Sequence, residues 1–94
     1  MFTGSQHLTA SGVIGTSGKP TRIFSLHIAS TASAGYVKLR SGKDATGTEW
    51  YQKTGTANVG VTDNIEGGMY FPNGCYAFLD GAMSYLTVQY YTEV

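Results

Sequence analysis

Between Arg22 and Gly42 the chain alternates apolar and polar residues twice over, in Arg22-Ile-Phe-Ser-Leu-His-Ile-Ala-Ser30 and in Gly35-Tyr-Val-Lys-Leu-Arg-Ser-Gly42. Only Thr31-Ala-Ser-Ala34 separates the two stretches. A period of two belongs to strands, because successive side chains of an extended backbone point to opposite faces. Phe24, Leu26 and Ile28 are therefore predicted on one face of a first strand, with His27 opposite. Val37 and Leu39 are predicted on one face of a second. The short spacer reads as a β-meander signal, and a sheet with one buried face follows.

The same reading along the rest of the chain gives eight or nine short strands and no helix. Residues 6–10 and 12–15 form one interrupted strand, bent at Gly12, and residues 16–20 form a loop ending in Pro20. Further strands are predicted at 22–30, 35–40, 48–53, 58–65, 68–71, 75–80 and 84–92. Turn chemistry supports the breaks. Ser41–Gly47 joins two strands, Pro72-Asn-Gly74 pairs a fixed φ with a residue that tolerates positive φ, and Asp80-Gly81 opens the last turn. In the final strand Leu86, Val88 and Tyr90 form the predicted core face, with Tyr85, Thr87, Gln89 and Tyr91 opposite. Regularly spaced short strands of this kind indicate a small antiparallel β-sandwich of jelly-roll type.

Ninety-four residues suffice for one domain with a single core, residues 1–94, and residues 1–8 are a candidate N-terminal arm. With 13 Gly and 2 Pro, the glycines punctuate ordered strands and do not signal a Pro-rich linker. Formal net charge is zero, but the charges are unevenly placed along the chain. Lys19, Arg22, Lys38, Arg40, Lys43 and Lys53 face only Asp44 and Glu49 in the same stretch, whereas every later charge is negative: Asp63, Glu66, Asp80 and Glu93. Interleaving strands would mix the two halves; segregated ones would make the domain two-sided. Cys75, a single cysteine in an apolar strand, is expected to be a buried and inert thiol. The N-terminal residues lack the basic and apolar regions of a signal peptide, and no apolar run is long enough to span a bilayer.

Motifs that carry chemistry are sparse. Gly15-Thr-Ser-Gly-Lys-Pro20 superficially suggests a phosphate loop. However, Val13 stands where the first glycine is needed, Pro20 replaces the magnesium-binding hydroxyl, and no helix follows. His7 and His27 have no Cys or carboxylate at metal-ligand spacing, so no metal or cofactor is expected. No base and orienter accompany the serines and threonines, and six scattered acids give no glycosidase signature, so no catalytic residue is assigned. Tyr36, Lys38 and Arg40 on one strand, Trp50 and Tyr51 after the loop, and Tyr91 near the end are the candidate contact residues. Zero net charge disfavours nucleic acid as their partner. A protein interface, which favours Tyr, Trp and Arg, fits better, with a glycan as the competing ligand.

The order of residues from Gly12 to Gly42, then Gly47-Thr-Glu-Trp-Tyr51, Phe71-Pro-Asn-Gly-Cys75 and a final Tyr/Val-rich strand, resembles small all-β virion proteins of tailed bacteriophages. The resemblance implies a non-enzymatic structural protein of the virion, assembled in the host bacterial cytoplasm. Its implied role is that of a capsid decoration or cement protein, present in many copies and contacting other virion proteins such as the major capsid protein. A neck, tail or head-fibre component, or a carbohydrate-binding adhesin module, is the alternative. The resemblance assigns no site residue.

Overall fold

A computed structural model describes residues 2–92; Met1, Glu93 and Val94 lie outside the described residues, and with them the ends of the candidate arm and of the acidic half. Eight strands follow in order: β1 (Phe2–Leu8), β2 (Gly12–Ile14), β3 (Thr21–Ser30), β4 (Tyr36–Ser41), β5 (Thr48–Thr54), β6 (Gly60–Phe71), β7 (Cys75–Leu79) and β8 (Met83–Thr92). They form two four-stranded antiparallel sheets, β1-β8-β3-β6 and β2-β7-β4-β5. This strand order is that of an eight-stranded jelly roll. Each sheet draws strands from both halves of the chain, so the basic and acidic halves interleave.

Both alternating stretches that opened the sequence are strands, but they are not neighbours in one sheet. β3 lies in the first sheet and β4 in the second, and residues 31–35 arch between them. Alternation specifies which face is buried and leaves open which strand supplies the hydrogen bonds. The arch is fixed by bonds to other loops: Thr31 N–H donates to the Ala82 carbonyl at 2.9 Å, and Gly55 N–H to that of Gly35 at 2.8 Å. A Cβ on Gly35 would stand 2.9 Å from the Ala82–Met83 backbone, which is why the approach needs glycine.

The interior lies between the two inner faces. Ile23, Leu26, Ile28, Leu86, Val88 and Tyr90 of the first sheet pack on Ile14, Val37, Leu39, Cys75, Ala77 and Leu79 of the second, with Phe71 completely buried among them. The predicted inner faces of β4 and β8 hold. That of β3 changes phase, because Ile23 and Leu26 both point inward while Phe24 is 38% exposed. A β-bulge between Ile23 and Ser25, present in both ladders of β3, leaves Phe24 without a pairing partner and turns it outward.

Further boundaries differ from the sequence reading. The expected single strand over 6–15 is two strands in opposite sheets, because the chain crosses between Leu8 and Gly12. The candidate arm is, over Phe2–Leu8, a strand paired with β8 within the chain. The strands predicted at 58–65 and 68–71 are one long strand, β6, which begins at Gly60 and carries an internal bulge. Buried hydroxyls close one end of the sandwich: Thr21 Oγ1 donates to the Lys19 carbonyl at 3.0 Å, and Thr92 Oγ1 to that of Pro20 at 3.3 Å.

Candidate functional site

The two outer faces carry the side chains available for recognition. On the second sheet, Tyr36, Lys38 and Arg40 share one face of β4, as alternation requires. Lys38 Nζ lies 3.0 Å from Glu49 Oε1 and 5.4 Å from the centre of the Tyr36 ring. Tyr36 in turn packs on Phe78 of β7, ring centres 6.0 Å apart. Arg40 donates through Nη1 to the Gly47 carbonyl at 3.2 Å, while its Nε is buried without a hydrogen-bond partner among the described residues. The β4–β5 loop beyond is held by Asp44, which accepts from Thr46 Oγ1 at 2.5 Å and Thr46 N–H at 2.9 Å. The Thr46 hydroxyl first, then the amide, holds this carboxyl below its ordinary range.

Trp50 and Tyr51 do not join this strip. A register shift between Leu39 and Arg40 places Trp50 in a bulge of β5, and its ring stacks on Phe71 at 5.3 Å with 22° between planes. Tyr51 turns inward at the open flank between β5 and β6, where its hydroxyl donates to Asp63 of β6. Burial first, then this bond to a carboxylate, raises the Tyr51 pKa above the ordinary tyrosine range. Tyr91 lies on the far side of the molecule, on the outer face of the first sheet. The six candidate contact residues are thus distributed over three places: an outer strip, a flank and the opposite face.

The first sheet's outer face holds residues that the sequence reading passed over. Arg22 of β3 is in register with Tyr70 of β6 on one side and Tyr91 of β8 on the other. Together with Phe24 these side chains line an open depression. Further along the face the Tyr85 ring lies between His7, at 5.2 Å, and His27, at 5.8 Å. Each imidazole is held through Nδ1 by a threonine hydroxyl, His7 by Thr87 at 2.9 Å and His27 by Thr62 at 2.7 Å. His27 thus lies on the face opposite Leu26 and Ile28, as alternation requires. Among the described residues no group of three His, Cys, Asp or Glu side chains converges as a metal site would require. Cys75 is completely buried, and burial pushes its thiol up to about 12.

Period-two alternation identified Tyr36, Lys38 and Arg40 as one face. The depression needed knowledge of which strands flank β3 and of the bulge that turns Phe24 outward. The one available signal was Gly67-Gly68, a pair of glycines inside an otherwise strand-like run. No family model matches this chain, and neither a curated protein nor a solved structure does.

Proposed function

We propose that this chain is a non-enzymatic structural protein of a bacteriophage virion, a capsid decoration protein that docks through the outer face of its second sheet. The observation that carries the reading is the strip Tyr36, Lys38 and Arg40, with Phe78 against Tyr36 and Glu49 against Lys38. Tyrosine and arginine are the side chains on which protein interfaces most often concentrate their binding energy. Here they stand on a sheet, restrained by contacts within the face, so that little side-chain freedom is lost on docking. The jelly roll adds an associational argument, since the architecture recurs in capsid and lectin domains.

Purified protein mixed with capsid shells should co-sediment at a fixed stoichiometry, and Arg40→Ala or Tyr36→Ala should lower the bound fraction at least tenfold. Added salt should weaken the association, because the strip is partly ionic. Absence of the chain from purified particles would overturn the reading.

A further inference from the structure

We propose that the depression formed by Arg22, Phe24, Tyr70 and Tyr91 is a binding site for a carboxylate-bearing sugar. This goes beyond capsid docking, since the site lies on the sheet face opposite the docking strip.

The site exists because two strands break register at the same level. β3 and β6 pair as Ile23 with Met69 and next as Ser25 with Asn64, so residues 65–68 of β6 stand opposite Phe24 alone. The excess chain is taken up by Gly67 and Gly68, with φ of 77° and 80°, a region that side-chain-bearing residues rarely enter. Gly68 also admits the neighbouring side chains. A Cβ there would lie 2.5 Å from Arg22 Cγ and 3.1 Å from Phe24 Cε1. Bulges of this kind commonly re-aim side chains at functional sites.

Arg22 is positioned in advance of any ligand. Its Nη1 donates to the Gly67 carbonyl at 3.0 Å, and its guanidinium carbon lies 5.0 Å from the centre of the Tyr70 ring. The remaining N–H groups offer a fork suited to a carboxylate. Among the described residues, no acidic side chain lines the depression. Tyr70 is 46% exposed and Phe24 38%, giving flat apolar surfaces on which the C–H face of a pyranose can pack, and the tyrosine hydroxyls can bond to sugar hydroxyls.

Sheet topology favours a sugar over a peptide. The floor of the depression is β3, a central strand flanked by β6 and β8 and paired with both on either side of Phe24. An extended peptide laid across it would find no edge to join. A saccharide needs none.

The test is titration of ¹⁵N-labelled protein with trigalacturonate and 3′-sialyllactose, with maltotriose and an acidic Asp/Glu hexapeptide as comparators. At least one acidic saccharide should shift the amides of residues 22–24 and 69–70 and bind at least tenfold more tightly than maltotriose or the peptide. Arg22→Gln and Tyr70→Ala, both on the surface and checked by thermal melting, should each weaken that binding at least tenfold. Lys43→Gln, a cation on the β4–β5 loop outside the lining of the depression, should leave it unchanged. Four results would each overturn the proposal: no binding of either acidic saccharide, equal binding of maltotriose, tighter binding of the hexapeptide, or the same loss from Lys43→Gln as from Arg22→Gln.

Discussion

Along the β1/β2 flank a neutral side chain ties the two sheets together, whereas along the β5/β6 flank a phenol and a carboxylate do so. Gln6 of β1 donates through Nε2 to the Val13 carbonyl of β2 at 2.8 Å and accepts from Gly15 N–H at 3.0 Å. Ser11 Oγ reinforces this side by accepting from Leu79 N–H at 2.9 Å. On the opposite flank Tyr51 donates to Asp63, side chain to side chain, and the Trp50 ring lies over Phe71. Bonds to backbone fix one strand against another at a set register; a bond between two side chains joins the edges and leaves each backbone free to shift. The cross-sheet bonds of the first flank involve no titratable group, whereas those of the second do. The second also holds two of the exposed large apolar side chains, Trp50 at 46% and Val59 at 47%.

Gln6→Ala should have the largest effect on this contrast, because it strips partners from two partly buried backbone groups. A loss of about 2–4 kcal/mol in urea unfolding is expected. A loss no larger than that of a surface substitution would mean that water replaces the amide and that the two flanks are alike.

Tyr51→Phe should cost about 1.5–3 kcal/mol, the range for a hydrogen bond to a charged group. Its pH signature separates it from Gln6. The Tyr51 pKa is raised in the folded protein, so its contribution is fully present below the unfolded value of about 10 and is lost as pH rises above it. Wild-type protein should therefore lose stability more steeply than Tyr51→Phe in alkaline melts. Cys75 titrates in the same direction, being pushed up to about 12 from an ordinary value of about 8.5, and supplies the slope that remains in the variant. Equal alkaline slopes in the two proteins would remove the distinction between the flanks.

Trp50→Ala should cost about 1–2 kcal/mol, since the ring is half exposed but covers a buried phenylalanine. Binding of a hydrophobic dye should rise with it, reporting an uncovered Phe71. The smallest change is expected from Lys38→Ala, about 0–1 kcal/mol in thermal or urea unfolding. Its ion pair with Glu49 is solvent-accessible on both sides and lies on neither flank.

Much of the interior was legible in the sequence. Ile28, Leu26, Val37, Leu39, Leu86 and Val88 all sit where alternation puts them, because a strand buried on one face writes that burial directly into its residue pattern. Phe24 was misplaced because a bulge adds a residue without a compositional mark. The β3–β4 meander was misread because pairing in a jelly roll joins residues far apart in sequence, which a local pattern does not encode. Tyr51 and Trp50 were grouped with Tyr36 as exposed aromatics. Their separation depends on the β5 bulge and on Asp63, twelve residues downstream of Tyr51. The Arg22 depression was hidden for the same reason: its walls come from β3, β6 and β8, which the sequence presents as unrelated segments.

The strand order also sets a timetable for the nascent chain. β8 lies between β1 and β3, and β7 between β2 and β4, so the seventh and eighth strands are central to their sheets. Until residues 75–92 emerge from the ribosome, β1 and β2 have no partner and β3 keeps only one of its two ladders. A pairing such as Phe2 with Thr92 must close a loop of nearly the whole chain. Folding should consequently wait for β7 and β8 and be slow for a domain of this size, with the early strands dependent on remaining unpaired, or on being shielded, until then.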